Sequence, residues 1–245
     1  MIYLFCGVII GVVMGLTGAG GALVAIPLFM QFLGMSLKEA SVYSLLAVVV
    51  ASMMNYLAQR KATQYKTAFI VIVFSALGSY LTAPYKENLP TMVVAILLAL
   101  VSLYALYSVW LPPKKSSTGP IIPRENFALS LTIGLLLGAL TTFTGLGGGV
   151  LMLPLFLALY RYSQSQAVAT SLFAVGLSSL ASLIVQVARG TRFELEINLI
   201  FLMVGILFSV LILNQFVKRL PNVVVTRTRQ IVFTLVVIIA LLKIF

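Results

Sequence analysis

Apolar runs of membrane-spanning length follow one another from Ile2 to Phe245 with short polar interruptions, and this spacing constrains the chain more than any motif in it. A helical span needs about 20 residues to cross a hydrocarbon core of about 30 Å, so 245 residues hold about eight segments and leave little for a soluble domain. With 61% hydrophobic residues, 9% charged residues and a mean hydropathy of +1.14, most of the chain has lipid as its solvent. Bare backbone polar groups are not tolerated in lipid, and the runs lack the dyad alternation of barrel strands. Every element is therefore expected to be helical, giving an all-α polytopic membrane protein. No charged n-region and no small-residue cleavage site accompany the first apolar stretch, which is expected to remain as a helix.

The same composition excludes several function classes. The net charge of +11 comes from 16 basic residues in short clusters between apolar runs, without aromatic interleaving. Such clusters read as topology signals and not as a nucleic-acid-binding stripe. The chain has no His, one cysteine (Cys6) and five acidic residues, all of them Glu. A disulfide, a metal centre, a catalytic triad and a buried carboxylate pair all lack their raw material, so no cofactor, no metal and no catalytic residues are expected.

The chain contains itself twice. At an offset of 127, Thr17-Gly-Ala-Gly-Gly-Ala-Leu-Val-Ala-Ile-Pro-Leu-Phe29 aligns with Thr144-Gly-Leu-Gly-Gly-Gly-Val-Leu-Met-Leu-Pro-Leu-Phe156, and seven of thirteen positions are identical. Without a gap the same offset pairs Gly7 with Gly134, Gly11 with Gly138, Ser36 with Ser163, Ser44 with Ser171, Ser52 with Ser179 and Gln59 with Gln186. A shift of four more residues pairs Leu89-Pro90 with Leu220-Pro221. Apolar runs align easily by chance, but coincident Gly, Pro, Thr and Gln do not. We therefore expect a first repeat over 1–110, a linker over 111–126 rich in Pro, Lys and Ser, and a second repeat over 127–245. Helices are expected at Ile2 to Leu16, Ala22 to Leu33, Leu37 to Leu57, Thr67 to Thr82 and Pro90 to Trp110. The second copy repeats them at Phe127 to Phe143, Val150 to Tyr160, Gln164 to Val187, Ile197 to Phe216 and Arg229 to Phe245.

Residues 1 to 34 would make about 51 Å of helix, too long for one straight span, and the glycines interrupt them near the middle. Each first segment is thus either a broken helix that crosses or a re-entrant hairpin. Crossing divides the basic residues 9 to 7 between the two sides. The hairpin divides them 11 to 5, the larger group being those at 60–66, in the linker, at Arg161 and at 218–229, and the positive-inside rule favours that arrangement. Three full spans per copy then invert the second copy relative to the first, with the linker cytoplasmic and both termini outside.

Glycines that break a helix inside the bilayer mark a cavity, because free N–H and C=O groups at depth are costly unless they face water or a ligand. A new helix begins directly after each break, and its free N–H groups with their partial positive charge suit an anion. The candidate substrate-binding residues are accordingly Thr17, Gly18, Gly20 and Gly21, with their mates Thr144, Gly145, Gly147 and Gly148. The polar face of the following helix adds Ser52, Asn55 and Gln59 in the first copy and Ser179, Ser182 and Gln186 in the second. Serines on that face either bond neighbouring helices or line a path. Gly7-x3-Gly11-x3-Gly15 reads instead as a helix-packing face. No Glu falls at the centre of a span, so a cation would find no counter-charge there.

The paired Thr-Gly-x-Gly-Gly clusters, each followed by Pro-Leu-Phe at Pro27 and Pro154, resemble the TauE/SafE family of sulfite and organosulfonate exporters over nearly the whole chain. The resemblance implies a multi-pass plasma-membrane permease for small sulfur-containing anions, with residues 17–21 and 144–148 facing the substrate. The sequence leaves a homo-oligomer open. An anion channel of the same architecture, or a permease for a non-sulfur organic anion, would use the same residues.

Overall fold

A computed structural model describes residues 2–17, 22–86, 88–110, 126–189 and 197–217 together with most of 227–238. Gly18, Gly20, Gly21, the linker at 111–125 and most of the last expected helix lie outside the described residues. All described regular structure is helical: α1 (Ile2–Thr17), α2 (Ala22–Phe32), α3 (Leu37–Gln59), α4 (Tyr65–Lys86), α5 (Thr91–Trp110), α6 (Phe127–Thr144), α7 (Gly149–Ala158), α8 (Gln164–Ala188) and α9 (Ile197–Val217). Among them α3, α4, α5, α6 and α8 are long and apolar enough to cross a membrane. Large apolar side chains such as Phe69, Leu77, Leu100, Ile184 and Phe208 stay exposed, as a lipid-facing surface requires.

The two longest helices start in the same way. Ser36 accepts from the Glu39 N–H while Glu39 takes the Ser36 N–H at 2.9 Å, and Ser163 and Gln166 repeat this capping box at the head of α8. Each box satisfies two N–H groups that the first turn would otherwise leave bare. The polar faces of both helices point inward: Ser41, Ser44, Ser52 and Asn55 on α3 are buried, as are Ser171, Ser178, Ser179, Ser182 and Gln186 on α8.

Contacts at the open ends of α1–α2 and α6–α7 decide between crossing and turning back. Phe5, in the first turn of α1, meets Phe32 at the end of α2 edge to face, with ring centroids 6.1 Å apart. Tyr160, just past α7, donates a 2.7 Å hydrogen bond to Ser130 near the start of α6. Helices that continued in one direction would hold these pairs about 40 Å apart. Both first segments are hairpins.

The long helices run antiparallel at the centre. Gln64, past the end of α3, donates its N–H to Thr170 in the second turn of α8, whereas Lys86 joins Ser41 near the start of α3 to Gln186 near the end of α8. Around this pair the hairpins dock crosswise. A Cβ on Gly7 or Gly11 of α1 would strike the carbonyls of Leu202 or Ile206 of α9, and one on Gly134 or Gly138 of α6 would strike those of Val71 or Ser75 of α4. The glycines stand 127 positions apart in the two sets and the carbonyls 131, which are the two offsets of the internal alignment. Small residues at these positions let the backbones touch, as the packing reading of Gly7 and Gly11 requires.

Candidate functional site

The chain between α6 and α7 is bent by three left-handed residues within four: Gly145 at φ 72°, Gly147 at 66° and Gly148 at 67°. Only glycine adopts that conformation without strain. Gly145 ends α6 by donating its N–H to Thr141 O at 2.8 Å, and Gly148 stands at the head of α7. Space forbids a side chain here as well. A Cβ on Gly145 would enter the backbone of Ser41, and one on Gly147 would lie 2.5 Å from Ser179 Oγ and 2.7 Å from a Val48 methyl. Val48 is the middle residue of α3, so the break lies halfway along the central helices.

Hydroxyls from both central helices turn towards this break. Ser44 Oγ lies 2.7 Å from Gly145 O, and Ser179 Oγ lies 3.5 Å from Gly147 O. The exposed carbonyls of the turn thus face donors, while the first N–H groups of α7, at Gly149 and Val150, have no acceptor one turn back. That imbalance leaves the break with net positive character, to which the α7 dipole adds. Thr144 serves the turn: its hydroxyl donates to Leu140 O at 2.6 Å and accepts from the Leu146 N–H at 3.3 Å.

The remaining residues singled out by sequence are dispersed. Ser52 keeps a buried hydroxyl without a partner, as do Ser75 and Thr141. Asn55 Nδ2 donates to Ala51 O at 3.0 Å. Ser182 shares a 2.6 Å hydrogen bond with Ser79, which also donates to Gly138 O at 3.1 Å, so α8, α4 and α6 are tied together there. The two matched glutamines part company: Gln59 is exposed at the end of α3, whereas Gln186 is buried at the opposite end of the bundle. The side chain of Thr17 lies outside the described residues, with Gly18, Gly20 and Gly21.

Sequence reasoning passed over Lys86. It is 3% exposed, and its Nζ lies 2.9 Å from Ser41 Oγ and 2.6 Å from Gln186 Oε1. The expected span ended at Thr82, yet α4 continues through Pro84 to Lys86. One signal was available: Ser75, Ser79, Thr82 and Lys86 follow helical spacing and extend a single polar face. Among the described residues no cluster of His, Cys, Asp or Glu could hold a metal ion.

A helical, multi-pass membrane protein with a glycine break halfway along its central helices, faced by a buried serine hydroxyl from each of them, has the construction of a membrane transporter. The chain matches the model of the family described as Sulfite exporter TauE/SafE over residues 3–243, and it belongs to that family. It is 26% identical over 215 residues to the probable membrane transporter protein YunE of Bacillus subtilis, covering 78% of this chain and 79% of that one. It is also 26% identical over 194 residues to a probable membrane transporter protein of Methanocaldococcus jannaschii, covering 76% and 72%. A probable membrane transporter protein of Xylella fastidiosa is 26% identical over 182 residues, covering 69% and 67%.

Proposed function

We propose that this transporter carries small sulfur-containing anions, such as sulfite or organosulfonates, across the plasma membrane, binding them at the two glycine breaks. The observation that carries the anion reading is the capping of the break: Ser44 and Ser179 face the carbonyls of Gly145 and Gly147, so the groups left for a ligand are N–H donors at the head of α7. Sulfur rests on the family's description alone.

The carrier works by alternating access between two inverted repeats, 1–110 and 127–245, joined by a cytoplasmic linker. The antiparallel central helices and the crosswise docking of the hairpins support this arrangement, since an in-plane two-fold axis exchanges α1 with α6 and α4 with α9. Uptake of radiolabelled sulfite, sulfoacetate and a control cation into proteoliposomes, with and without a proton gradient, tests the proposal. Saturable anion uptake without cation uptake is expected. Equal uptake of the cation would refute the charge selectivity argued here.

A further inference from the structure

We propose that Lys86 is the fixed positive charge of the anion route, and that the amide nitrogen of Gln186 completes with it a two-donor site for an oxyanion. This rests on the anion-transport reading above and names the side chains that would enforce it.

Lys86 Nζ can only donate, so the oxygen of the Gln186 carboxamide must be the end that faces it at 2.6 Å. The orientation of the amide is thereby fixed, and Nε2 must point elsewhere. Gln186 is 1% exposed, and this Nε2 is buried without any hydrogen-bond partner. A buried amide donor left bare is costly and calls for an acceptor. Ser41 is held in a similar way: its hydroxyl donates to Lys38 O at 2.7 Å, so its oxygen lone pairs face Lys86 at 2.9 Å. Ser41 and Gln186 are both neutral, and neither cancels the charge of the ammonium.

The cluster adjoins the break. The backbone of Ser41 is the surface that a side chain on Gly145 would strike, so one residue separates the ammonium from the turn. An oxyanion leaving the head of α7 on this side meets a cation and an unused amide donor next. The three residues are not repeated as a set at the matching positions of the other copy. At the offset of 127, Ser41 corresponds to Val168 and Gln186 to the exposed Gln59, and 131 positions after Lys86 stands Val217. A feature present once in a duplicated framework is not a by-product of the duplication.

The test is radiolabelled sulfite uptake into proteoliposomes with the full chain. Lys86→Gln keeps a hydrogen-bond donor and removes the charge, while Lys86→Arg keeps the charge. Lys86→Gln is expected to raise KM about tenfold or more at unchanged thermal stability, with Lys86→Arg closer to the wild type. Gln186→Glu supplies a carboxylate to Lys86 without removing it, and should suppress uptake in a protein that is folded and inserted. Wild-type uptake with an unchanged KM in Lys86→Gln, or normal uptake in Gln186→Glu, overturns the inference and leaves the transport reading standing. Absence of uptake of any tested anion by the wild type itself removes both.

Discussion

At Gly147 the chain needs three things at once: a positive φ, room for no side chain, and a carbonyl within reach of Ser179. A left-handed non-glycine residue costs about 1–2 kcal/mol before any clash is counted. Gly147→Leu should therefore reduce anion uptake to background while the protein still inserts, and wild-type uptake by this variant would mean that the break is mere packing. Ser44→Ala is a milder probe. It leaves Gly145 O without its 2.7 Å donor, a loss of about 1–3 kcal/mol for a buried group, and should lower both the melting temperature and the uptake rate. The glycines were legible because three or four within five residues make poor helix. The roles of the serines were not. Spacing placed them on one inward face, but only the fold shows that Ser44 and Ser179 cap the break, or that Gln186 is buried while Gln59 is exposed.

Helix positions followed from hydropathy to within a few residues, and the largest error was at α4. Pro84 and Lys86 look like a stop signal, yet a membrane helix tolerates proline where neighbouring groups take over the lost hydrogen bond. That error hid Lys86, which also entered the charge count as if it lay in a loop. The hairpins dock through glycine against backbone, and this packing is separable from the break. Gly138→Leu would force α6 off the Ser75 carbonyl and is expected to lower stability by about 1–3 kcal/mol or more, like overpacking in a dense core. Gly11→Leu should match it in α1 against α9. A pair of variants with native melting temperatures would show that these interfaces are loose.

The positive-inside rule favoured hairpins over crossing helices, and Phe5 against Phe32 and Tyr160 on Ser130 are the contacts that make both segments turn back. Charge bias could reach this answer because it reports where each loop ends up. It could not reach the crosswise docking, since a glycine does not name the helix it will touch. The topology that follows has a direct test: single cysteines at Ser116 and Lys243, introduced with Cys6 removed, should react with an impermeant reagent from opposite sides of the membrane. Labelling from the same side would exclude the inverted arrangement.

That docking also bears on how the chain is made. α1 rests on α9, and the chain as far as Ser209 must leave the ribosome before the Gly7 and Gly11 face meets its partner. The first hairpin is thus synthesised first and seated late. Until then its small-residue groove is open to lipid, to the translocation machinery or to a neighbouring nascent chain, so biogenesis cannot finish one half before beginning the other.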